Sequence, residues 1–388
     1  MNNTKSELIN LFKSVYETDV TPEVFFAPGR VNLIGEHTDY NGGHVFPCAI
    51  SLGTYCAISL REDKKVRMFS KNFERYGIKN LDLDNYEKCS YWTDYPMGVI
   101  WTLSQSGYKV DRGFDIVFYG NLPNSSGLSS SASIEVLTAF TMSEMFGFNM
   151  DFIEIAKLCQ RSENEYNGVN CGIMDQFSIA MGQSEKAIFL DAATLEYEYV
   201  PVCLKDASIV IASSNKKRGL ADSKYNERRS ECEQALAEIC QGKKYASLGA
   251  MSLEEFDEYK GLIKDDNRLK RARHAVSENI RTIEAVEALN KNDIERFGKL
   301  MIDSHVSLRD DYEVTGLELD TLFEEALKVE GVIGTRMTGA GFGGCTVSIV
   351  KNENIDEFIK TVGDKYRKKI GYSADFYIVS PSSGPVRL

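Results

Sequence analysis

A run of glycine and hydroxyl residues, GNLPNSSGLSSSAS over Gly120–Ser133, offers the first chemistry in the sequence. The alternating FDIVFY before it predicts a strand and the spacing over Ser131–Met145 predicts a helix, so the run joins a strand to a helix. Free backbone N–H groups and the helix dipole can then receive phosphate, and serine hydroxyls can bind phosphate oxygens or Mg²⁺. A flexible serine-rich linker is the alternative, which this position between two patterned elements disfavours.

Two carboxylates fall among apolar residues. Glu163 continues the apolar stripe of a helix predicted over Asp151–Tyr166, where a buried anion is costly unless it is paired or bound to metal. Asp175 lies within CGIMDQF, among small and apolar residues. For Glu163 the alternatives are a functional carboxylate and a structural ion pair. For Asp175 they are a desolvated catalytic carboxylate and a helix cap.

The segment APGRVNLIGEHTDYNGG, over Ala27–Gly43, concentrates polar side chains among glycines: Arg30, Glu36, His37, Asp39 and Asn41. A hairpin or loop with this density of donors and acceptors suits a polyhydroxylated ligand, because each hydroxyl both donates and accepts. A polar surface turn held by Asx-type hydrogen bonds is the alternative. The sequence does not favour a metal at His37, since no second His or Cys stands at ligand spacing.

The segment TGAGFGG, over Thr338–Gly344, formally contains GxGxxG. A dinucleotide fingerprint needs a strand, a loop and then a helix, whereas this loop feeds the predicted strand CTVSIV, so we reject a Rossmann site. We expect these glycines to let the backbone approach another loop closely and press against whatever the loop Gly120–Ser133 holds. The sequence also contains no GxxxxGK[ST] and no HRD and DFG pair, which excludes a P-loop and a protein kinase.

The elements that position these groups alternate between strand-like and helical segments, with helices predicted over Ser223–Gln241 and Leu253–Leu300 and a final strand at Asp375–Val379. This pattern favours an α+β fold. The 388 residues predict two domains, 1–200 and 201–388, with a boundary near Tyr197–Ala207.

The composition of the chain limits which binding partners and which cellular compartment are expected. Lys and Arg total 45 and Asp and Glu total 57, which gives a net charge of −12 and disfavours sequence-independent nucleic-acid binding. The nine cysteines have no metal-site or disulfide-framework spacing, so we expect free thiols in a reducing, cytoplasmic compartment. No signal peptide and no membrane-spanning segment are expected.

Three of these segments together resemble the three motifs of the GHMP small-molecule kinases, and the match is distributed over Ala27–Pro47, Gly120–Ser133, Cys171–Phe177, Lys224–Arg229 and Thr338–Cys345. The first resembles the signature of the galactose-phosphorylating members. The resemblance implies an N-terminal domain like ribosomal protein S5 domain 2, a ferredoxin-like C-terminal domain and a site between them. It implies ATP-dependent phosphorylation of the anomeric C1 hydroxyl of α-D-galactose, the entry step of the Leloir route, by a monomer that uses Mg²⁺.

The resemblance also implies roles for individual residues. The sugar would be held by Glu36, His37, Thr38, Asp39, Gly172 and Tyr225. The nucleotide would be held by Ser125, Ser126, Gly127, Leu128, Ser129, Ser130 and Ser131, with Ser70 as a further contact. Mg²⁺ would be held by Ser131 and Glu163.

For catalysis, Asp175 would accept the proton of the anomeric hydroxyl or hold that hydroxyl in line. Arg30 would favour the ionised form of Asp175 and stabilise charge in the transition state. One departure from the family is that Asn124-Ser125-Ser126 replaces glycines usual in this loop, which bears on nucleotide affinity because serine tolerates a positive φ poorly.

Two alternatives share most of these motifs. A kinase for N-acetylgalactosamine or another sugar would differ in pocket walls that the sequence does not place. A non-catalytic galactose sensor would resemble the family but lose residues of the SSSAS segment, which is complete here at Ser129–Ser133.

Overall fold

The computed structural model describes residues 2–85, 87–123, 127–216 and 221–388. Its helices are α1 (Asn2–Tyr16), α2 (Asp94–Gln105), α3 (Ser130–Phe146), α4 (Phe152–Arg161), α5 (Met174–Ala180), α6 (Ala221–Ile239), α7 (Leu253–Tyr259), α8 (Asp266–Asn290), α9 (Ile294–Ser307), α10 (Gly316–Ala326) and α11 (Ile355–Ile370). Its strands are β1 (Glu23–Asn32), β2 (His44–Val45), β3 (Pro47–Leu60), β4 (Lys65–Ser70), β5 (Lys79–Asp82), β6 (Phe114–Gly120), β7 (Lys186–Asp191), β8 (Tyr197–Pro201), β9 (Ala207–Ser213), β10 (Val332–Thr338), β11 (Cys345–Lys351), β12 (Asp375–Val379) and β13 (Val386–Arg387).

The first half is built on a six-stranded mixed sheet in the order β13-β1-β3-β6-β4-β5, in which β4 and β6 are parallel. Apolar residues of α2 to α5 cover one face, and the apolar side of α1 covers the other. A smaller sheet, β2-β7-β8, lies beside this core. Because both faces are covered, the central strands are apolar on both sides, and β1 is buried along nearly its whole length.

The second half is built on an antiparallel sheet in the order β10-β11-β9-β12. Helices α10 and α11 cover one of its faces. The other face packs into a core shared with the first half, which includes Val31, Phe46, Ile211, Phe297 and Val347. Helices α6 and α8 form a further helical layer with its own apolar cluster. The α+β class predicted from the sequence is confirmed, and the two halves share one core along their junction.

Several elements differ from the sequence-based prediction. Of the expected hairpin or loop over Ala27–Gly43, Ala27–Asn32 is the buried end of β1, which pairs antiparallel with β3, and the residues after Asn32 form the connection. The helical stretch Leu253–Leu300 divides into α7, α8 and α9, and β12 is followed by β13, which pairs with β1. Strand β8 ends at Pro201 and β9 begins at Ala207, and the boundary at residue 200 stays a prediction.

A bulge in β1 directs the C-terminal end of this strand towards the junction between the two halves of the chain. The register with β3 shifts between Pro28 and Gly29, where Pro28 lacks the N–H that a regular ladder needs. A Cβ at Gly53 of β3 would lie 2.2 Å from the Ala27 carbonyl, so glycine is required for the two strands to approach here. The strand then delivers Arg30 and Asn32 to the space between the halves.

None of the helices in the described part of the chain combines the length and apolarity needed to cross a membrane.

A buried charge cluster holds the helical layer against this junction. Glu278 of α8 is fully buried, accepts hydrogen bonds from Gly35 N (3.1 Å) and Ser304 Oγ (2.5 Å), and pairs with Arg281. The buried Arg336 lies 3.9 Å from Glu278 and 3.6 Å from Glu36. Burial acts to raise the pKa of Glu278, but the neighbouring positive charges outweigh it and hold the pKa at about 2.

We expect Glu278→Gln to lower the free energy of unfolding by about 3 kcal/mol at pH 7, because it leaves buried arginines without their counter-ion. Since the folded pKa of Glu278 lies below the ordinary 4.5, its stabilisation is complete above that pH and is lost as the pH falls towards 2. Urea denaturation should show that the difference in unfolding free energy between the wild type and Glu278→Gln becomes smaller as the pH is lowered from 7 to 3. Glu287→Gln, an exposed change on the same helix, is the control, and equal losses for both variants would contradict the assignment.

Candidate active site

A cleft of about 210 Å³ opens where the two halves meet. Twelve residues predicted as catalytic, ligand-binding or metal-binding line it: Arg30, Glu36, His37, Asp39, Gly127, Ser129, Ser130, Ser131, Glu163, Gly172, Asp175 and Tyr225. They come from β1 and the loop after it, the loop before α3, the turn after α4, the start of α5, and α6. The fold thus brings together groups separated by up to 195 residues.

Asp175 is held on both carboxylate oxygens. Arg30 lies with Nη2 2.6 Å and Nε 2.8 Å from Oδ1, and Ser129 Oγ donates to Oδ2 at 2.5 Å. Asp175 is the second residue of α5, whose N-cap is Ile173, so the helix-cap alternative is wrong. The Arg30 side chain is 4% exposed and that of Asp175 is 31% exposed, so the cation is enclosed and the carboxylate faces the cleft.

The loop before α3 is fixed by close backbone contacts. Gly127 has a φ of +76°, and a Cβ on Gly339 would lie 2.9 Å from the Gly127 carbonyl. The glycine-rich segment at residues 338–344 was predicted to approach another loop closely; this is confirmed, and the loop it approaches is the one that carries Gly127. Arg30 Nη1 donates to the Gly127 carbonyl at 2.5 Å, and the Leu128 side chain is buried in the shared core.

Helix α3 begins at Ser130, directly after Ser129 in the left-handed conformation (φ +57°). The first N–H groups of a helix have no partner within the helix and are partly positive, so this end can receive an anion. Ser130 and Ser131 line the cleft at that end. Ser125 and Ser126, predicted as nucleotide contacts, lie outside the described residues.

The loop after β1 supplies three polar side chains to the cleft. Glu36 accepts hydrogen bonds from Asn32 Nδ2 and from the backbone N–H of Gly339, and burial raises its pKa. Burial lowers the pKa of His37 to about 3, so its ring is neutral near pH 7. Burial raises the pKa of Asp39 to about 6, which leaves this carboxyl ionised at neutral pH and protonated in mild acid.

Gly172 and Tyr225 complete this side of the cleft. A Cβ on Gly172 would lie 1.7 Å from Asp39 Oδ2, so any larger residue would displace that carboxylate. The Tyr225 ring packs 5.7 Å from the His37 ring, and burial raises the pKa of its hydroxyl well above the ordinary value. Its hydroxyl therefore stays protonated.

Two predicted residues lie elsewhere. Thr38 is buried away from the cleft, with its hydroxyl between the carbonyl oxygens of Gly35 (2.9 Å) and His44 (2.6 Å). This contact fixes the backbone of the loop that carries His37 and Asp39. Ser70 is buried at the end of β4, directly before a 3-10 turn, and lines none of the described clefts.

Both candidate metal ligands, Ser131 and Glu163, line the cleft. Helix α4 ends at Arg161, and the remainder of the helix predicted over Asp151–Tyr166 is a π-helical turn, Ser162–Asn167, which carries Glu163. Glu163 is buried as predicted, but the acidic Glu135 of α3 lies in hydrogen-bond contact with it. Burial, followed by the charge of Glu163, raises the pKa of Glu135 well above its usual range, so we take Glu135 as the protonated partner.

The donor set fits Mg²⁺. Mg²⁺ prefers oxygen ligands and is usually bound by one or two carboxylates together with substrate phosphates. Glu163 and the Ser131 hydroxyl both line the cleft beside the helix end that can receive an anion. Among the described residues no group of three or more His, Cys, Asp and Glu side chains forms a metal cage, so the protein would supply few of the ligands.

A second, aromatic cleft of about 400 Å³ adjoins the first and shares Tyr95 and Val169 with it. It is lined by Phe73, Tyr76, Ser90, Tyr91, Trp92, Asp94, Tyr95, Asn167 and Val169. Sequence reasoning missed this cleft, although the aromatic run YWTDY at residues 91–95 was an available signal. Four further lining residues of the first cleft, Cys171, Met174, Gln176 and Ala340, were not predicted as site residues, although they lie within the segments CGIMDQF and TGAGFGG that the sequence singles out.

Comparisons with known proteins agree with this geometry. Three family models match the chain: the galactokinase galactose-binding signature at residues 10–60, the GHMP kinases N terminal domain at 94–183 and the GHMP kinases C terminal at 285–368. A curated galactokinase of Clostridium acetobutylicum is 57% identical over 381 residues, which cover 98% of this chain and 97% of the relative.

Solved structures extend the similarity to the fold. Lactococcus lactis galactokinase complexed with galactose is 49% identical, with a TM-score of 0.96 and 99% of each chain covered. The mevalonate kinase of Methanococcus jannaschii, 20% identical with a TM-score of 0.69, covers 94% of this chain and 100% of its own and shares the fold alone. By its full-length similarity, its signature segment and the two halves that form the cleft, the chain belongs to the galactokinase family of GHMP kinases.

Proposed function

We propose that the chain transfers the γ-phosphoryl group of ATP to the C1 hydroxyl of galactose, giving galactose 1-phosphate and ADP. The observation that carries the proposal is the Asp175 carboxylate, which is held by Arg30 and by Ser129, the residue just before helix α3. This carboxylate lies in a cleft that the galactose-binding signature helps to form. The nine free thiols fit a reducing cytoplasm, and we propose a cytoplasmic monomer.

Phosphoryl transfer depends on positioning and electrostatics more than on covalent help. The two contacts of Asp175 leave a partly exposed carboxylate that can accept the proton of a C1 hydroxyl or hold it in line with the phosphorus. Arg30 donates to Asp175 and to the Gly127 carbonyl, which fixes the carboxylate against the loop that would hold the phosphates. A fixed cation at this position also stabilises negative charge that develops in the transition state.

The nucleotide would lie across the two clefts. The N-terminus of α3, with Ser130 and Ser131, would receive the phosphates, and Glu163 with Ser131 would hold Mg²⁺. Bound Mg²⁺ would neutralise phosphate charge that the acidic cleft otherwise repels. The adjoining aromatic cleft would take the base, because flat rings of Tyr and Trp stack on a purine.

The sugar would lie between the signature loop, Gly172 and Tyr225. Asp39 is an acceptor at neutral pH, and the neutral His37 and the protonated Tyr225 each carry a donor. This mixture suits hydroxyl groups, which donate and accept at once.

A coupled assay of ADP release over a panel of free sugars tests the proposal. Galactose-dependent ADP release supports it, and preference for N-acetylgalactosamine would replace it with the sister activity. Galactose binding by calorimetry without ADP release would indicate a sensor.

We expect Asp175→Asn to lower turnover by about 100-fold or more with the fold intact, because the amide can neither accept the proton nor keep the ion pair with Arg30. Turnover at saturating substrates and thermal melting are the measurements. Asp364→Asn, an exposed change on α11, is the control. Near-normal turnover of Asp175→Asn would refute the assignment.

The raised pKa of Asp39 predicts a pH dependence of sugar affinity. Above pH 6 the carboxylate accepts hydrogen bonds, and below pH 6 it becomes protonated and loses part of that capacity. The KM for galactose should therefore rise about tenfold between pH 7 and pH 5. Asp39→Asn should have a raised KM that stays flat over this range, and a flat wild-type profile would contradict a sugar contact at Asp39.

We expect Glu163→Gln to raise the Mg²⁺ concentration for half-maximal activity about tenfold or more, because a ligand charge is lost. Its melting temperature should not fall, since the change relieves the contact between two acids. Glu165→Gln, on the same turn but exposed and paired with Arg161, is the matched control. A lower melting temperature with unchanged Mg²⁺ dependence would mark Glu163 as a structural residue.

A further inference from the structure

A chain of polar groups runs from the cleft into the helical layer. His37 Nδ1 lies 2.8 Å from the Tyr40 hydroxyl, which lies 2.8 Å from the Tyr312 hydroxyl. The Tyr312 hydroxyl lies 3.2 Å from Cys232 Sγ on α6. The phosphoryl transfer described above assigns no role to Tyr40, Tyr312 or Cys232.

Each member of this chain has a fixed number of protons. His37 is neutral, so its ring carries one proton, on either Nδ1 or Nε2. Burial raises the pKa of Tyr40 and of Tyr312 well above the ordinary value, so each phenol has one proton to donate. If each group uses its one proton within the chain, the hydrogen bonds run either all towards His37 or all away from it.

The chemistry of the two ends selects the direction. A phenol O–H is a stronger donor than an imidazole N–H, and an imidazole nitrogen is a better acceptor than a phenol oxygen, whose lone pair is shared with the ring. Tyr40 therefore donates to His37 Nδ1, accepts from Tyr312, and Tyr312 accepts from the Cys232 thiol. The opposite direction would make Tyr312 donate to a thiol sulfur, which is a weak acceptor.

This direction places the histidine proton on Nε2. His37 lines the cleft, and its buried Nε2 makes no hydrogen bond of normal geometry to a described residue; the Ala340 backbone is its one weak contact, and this contact raises the His37 pKa slightly against the effect of burial. A buried donor without a well-formed partner can be completed by a bound molecule or by water.

We propose that Tyr40 is a positioning residue that holds His37 in its Nε2–H form, so that His37 meets the substrate as a hydrogen-bond donor beside the acceptor Asp39. Tyr312 supports this state by donating to Tyr40, which leaves Tyr40 no need of another donor. That the substrate is a sugar rests on the proposed function, whereas the protonated nitrogen of His37 does not.

The protonated nitrogen can be measured without substrate. Nitrogen-15 spectra of histidine-labelled protein resolve four histidines, and His37→Gln identifies the His37 signals. We expect a protonated Nε2 and an unprotonated Nδ1 in the wild type, a mixture of both forms in Tyr40→Phe, and an unchanged wild-type pattern in Tyr312→Phe. A protonated Nδ1 in the wild type, or unchanged signals in Tyr40→Phe, would overturn the proposal.

Kinetics test whether Tyr40 acts through His37. Tyr40→Phe should raise the KM for galactose about tenfold with kcat changed by less than about threefold, since one oriented hydrogen bond is lost. In a His37→Gln background, Tyr40→Phe should raise the KM for galactose by less than about twofold, because the residue through which Tyr40 acts is gone. A tenfold rise in KM from Tyr40→Phe in the His37→Gln background would overturn the proposal.

Tyr199→Phe is the matched control, because it removes a hydroxyl that donates to the Met181 carbonyl at 2.7 Å away from the cleft. It should leave KM and the His37 signals unchanged. Absence of galactose-dependent turnover in the wild type would refute the proposed function, and the nitrogen spectra would still decide the state of His37.

Discussion

The ion pair between Arg30 and Asp175 is the contact on which the site depends, because the cleft holds more carboxylates than nearby cations. Arg30 is enclosed and hydrogen-bonded to both Asp175 and the Gly127 carbonyl, so its guanidinium group is fixed beside Asp175 and cannot turn to pair with another carboxylate. The remaining acids respond individually. Burial raises the pKa of Glu36 and of Asp39, and Glu135 takes a proton beside Glu163. The same surplus of negative charge makes a divalent cation a natural component of the loaded site.

Close backbone contacts give the cleft its shape. Gly127 and Gly339 let the two glycine-rich loops touch, and Gly172 leaves room for the Asp39 carboxylate. These contacts join the halves of the chain, since Gly339 also donates to Glu36. The buried Arg336, placed between Glu36 and Glu278, extends the junction to the helical layer. The site therefore forms only when both halves are folded and docked.

The parts of the site that were predictable are those with a local signal. The strand, loop and helix around Ser129 follow from apolar alternation and helical spacing, and the burial of Glu163 follows from its place on an apolar stripe. The partner of Glu163 was not predictable, because Glu135 comes from another helix and Glu163 itself lies in a π-helical turn. Strand β1 was missed because Pro28 and Gly29, which form its bulge, have the composition of a loop.

Long-range contacts limited the remaining predictions. The motif that contains Thr38 marks it as a sugar contact, but its hydroxyl serves the backbone of its own loop, which only the fold reveals. Tyr225 was assigned by resemblance alone, and its place follows from the packing of α6 on the signature loop. The Tyr40 hydroxyl, which contacts His37, also contacts the Tyr312 hydroxyl 272 residues away in the chain, and no local pattern encodes that contact. A net charge of −12 likewise disfavours sequence-independent nucleic-acid binding but not a phosphate ligand, because a phosphate in a closed cleft responds to the nearest N–H groups, hydroxyls and cations.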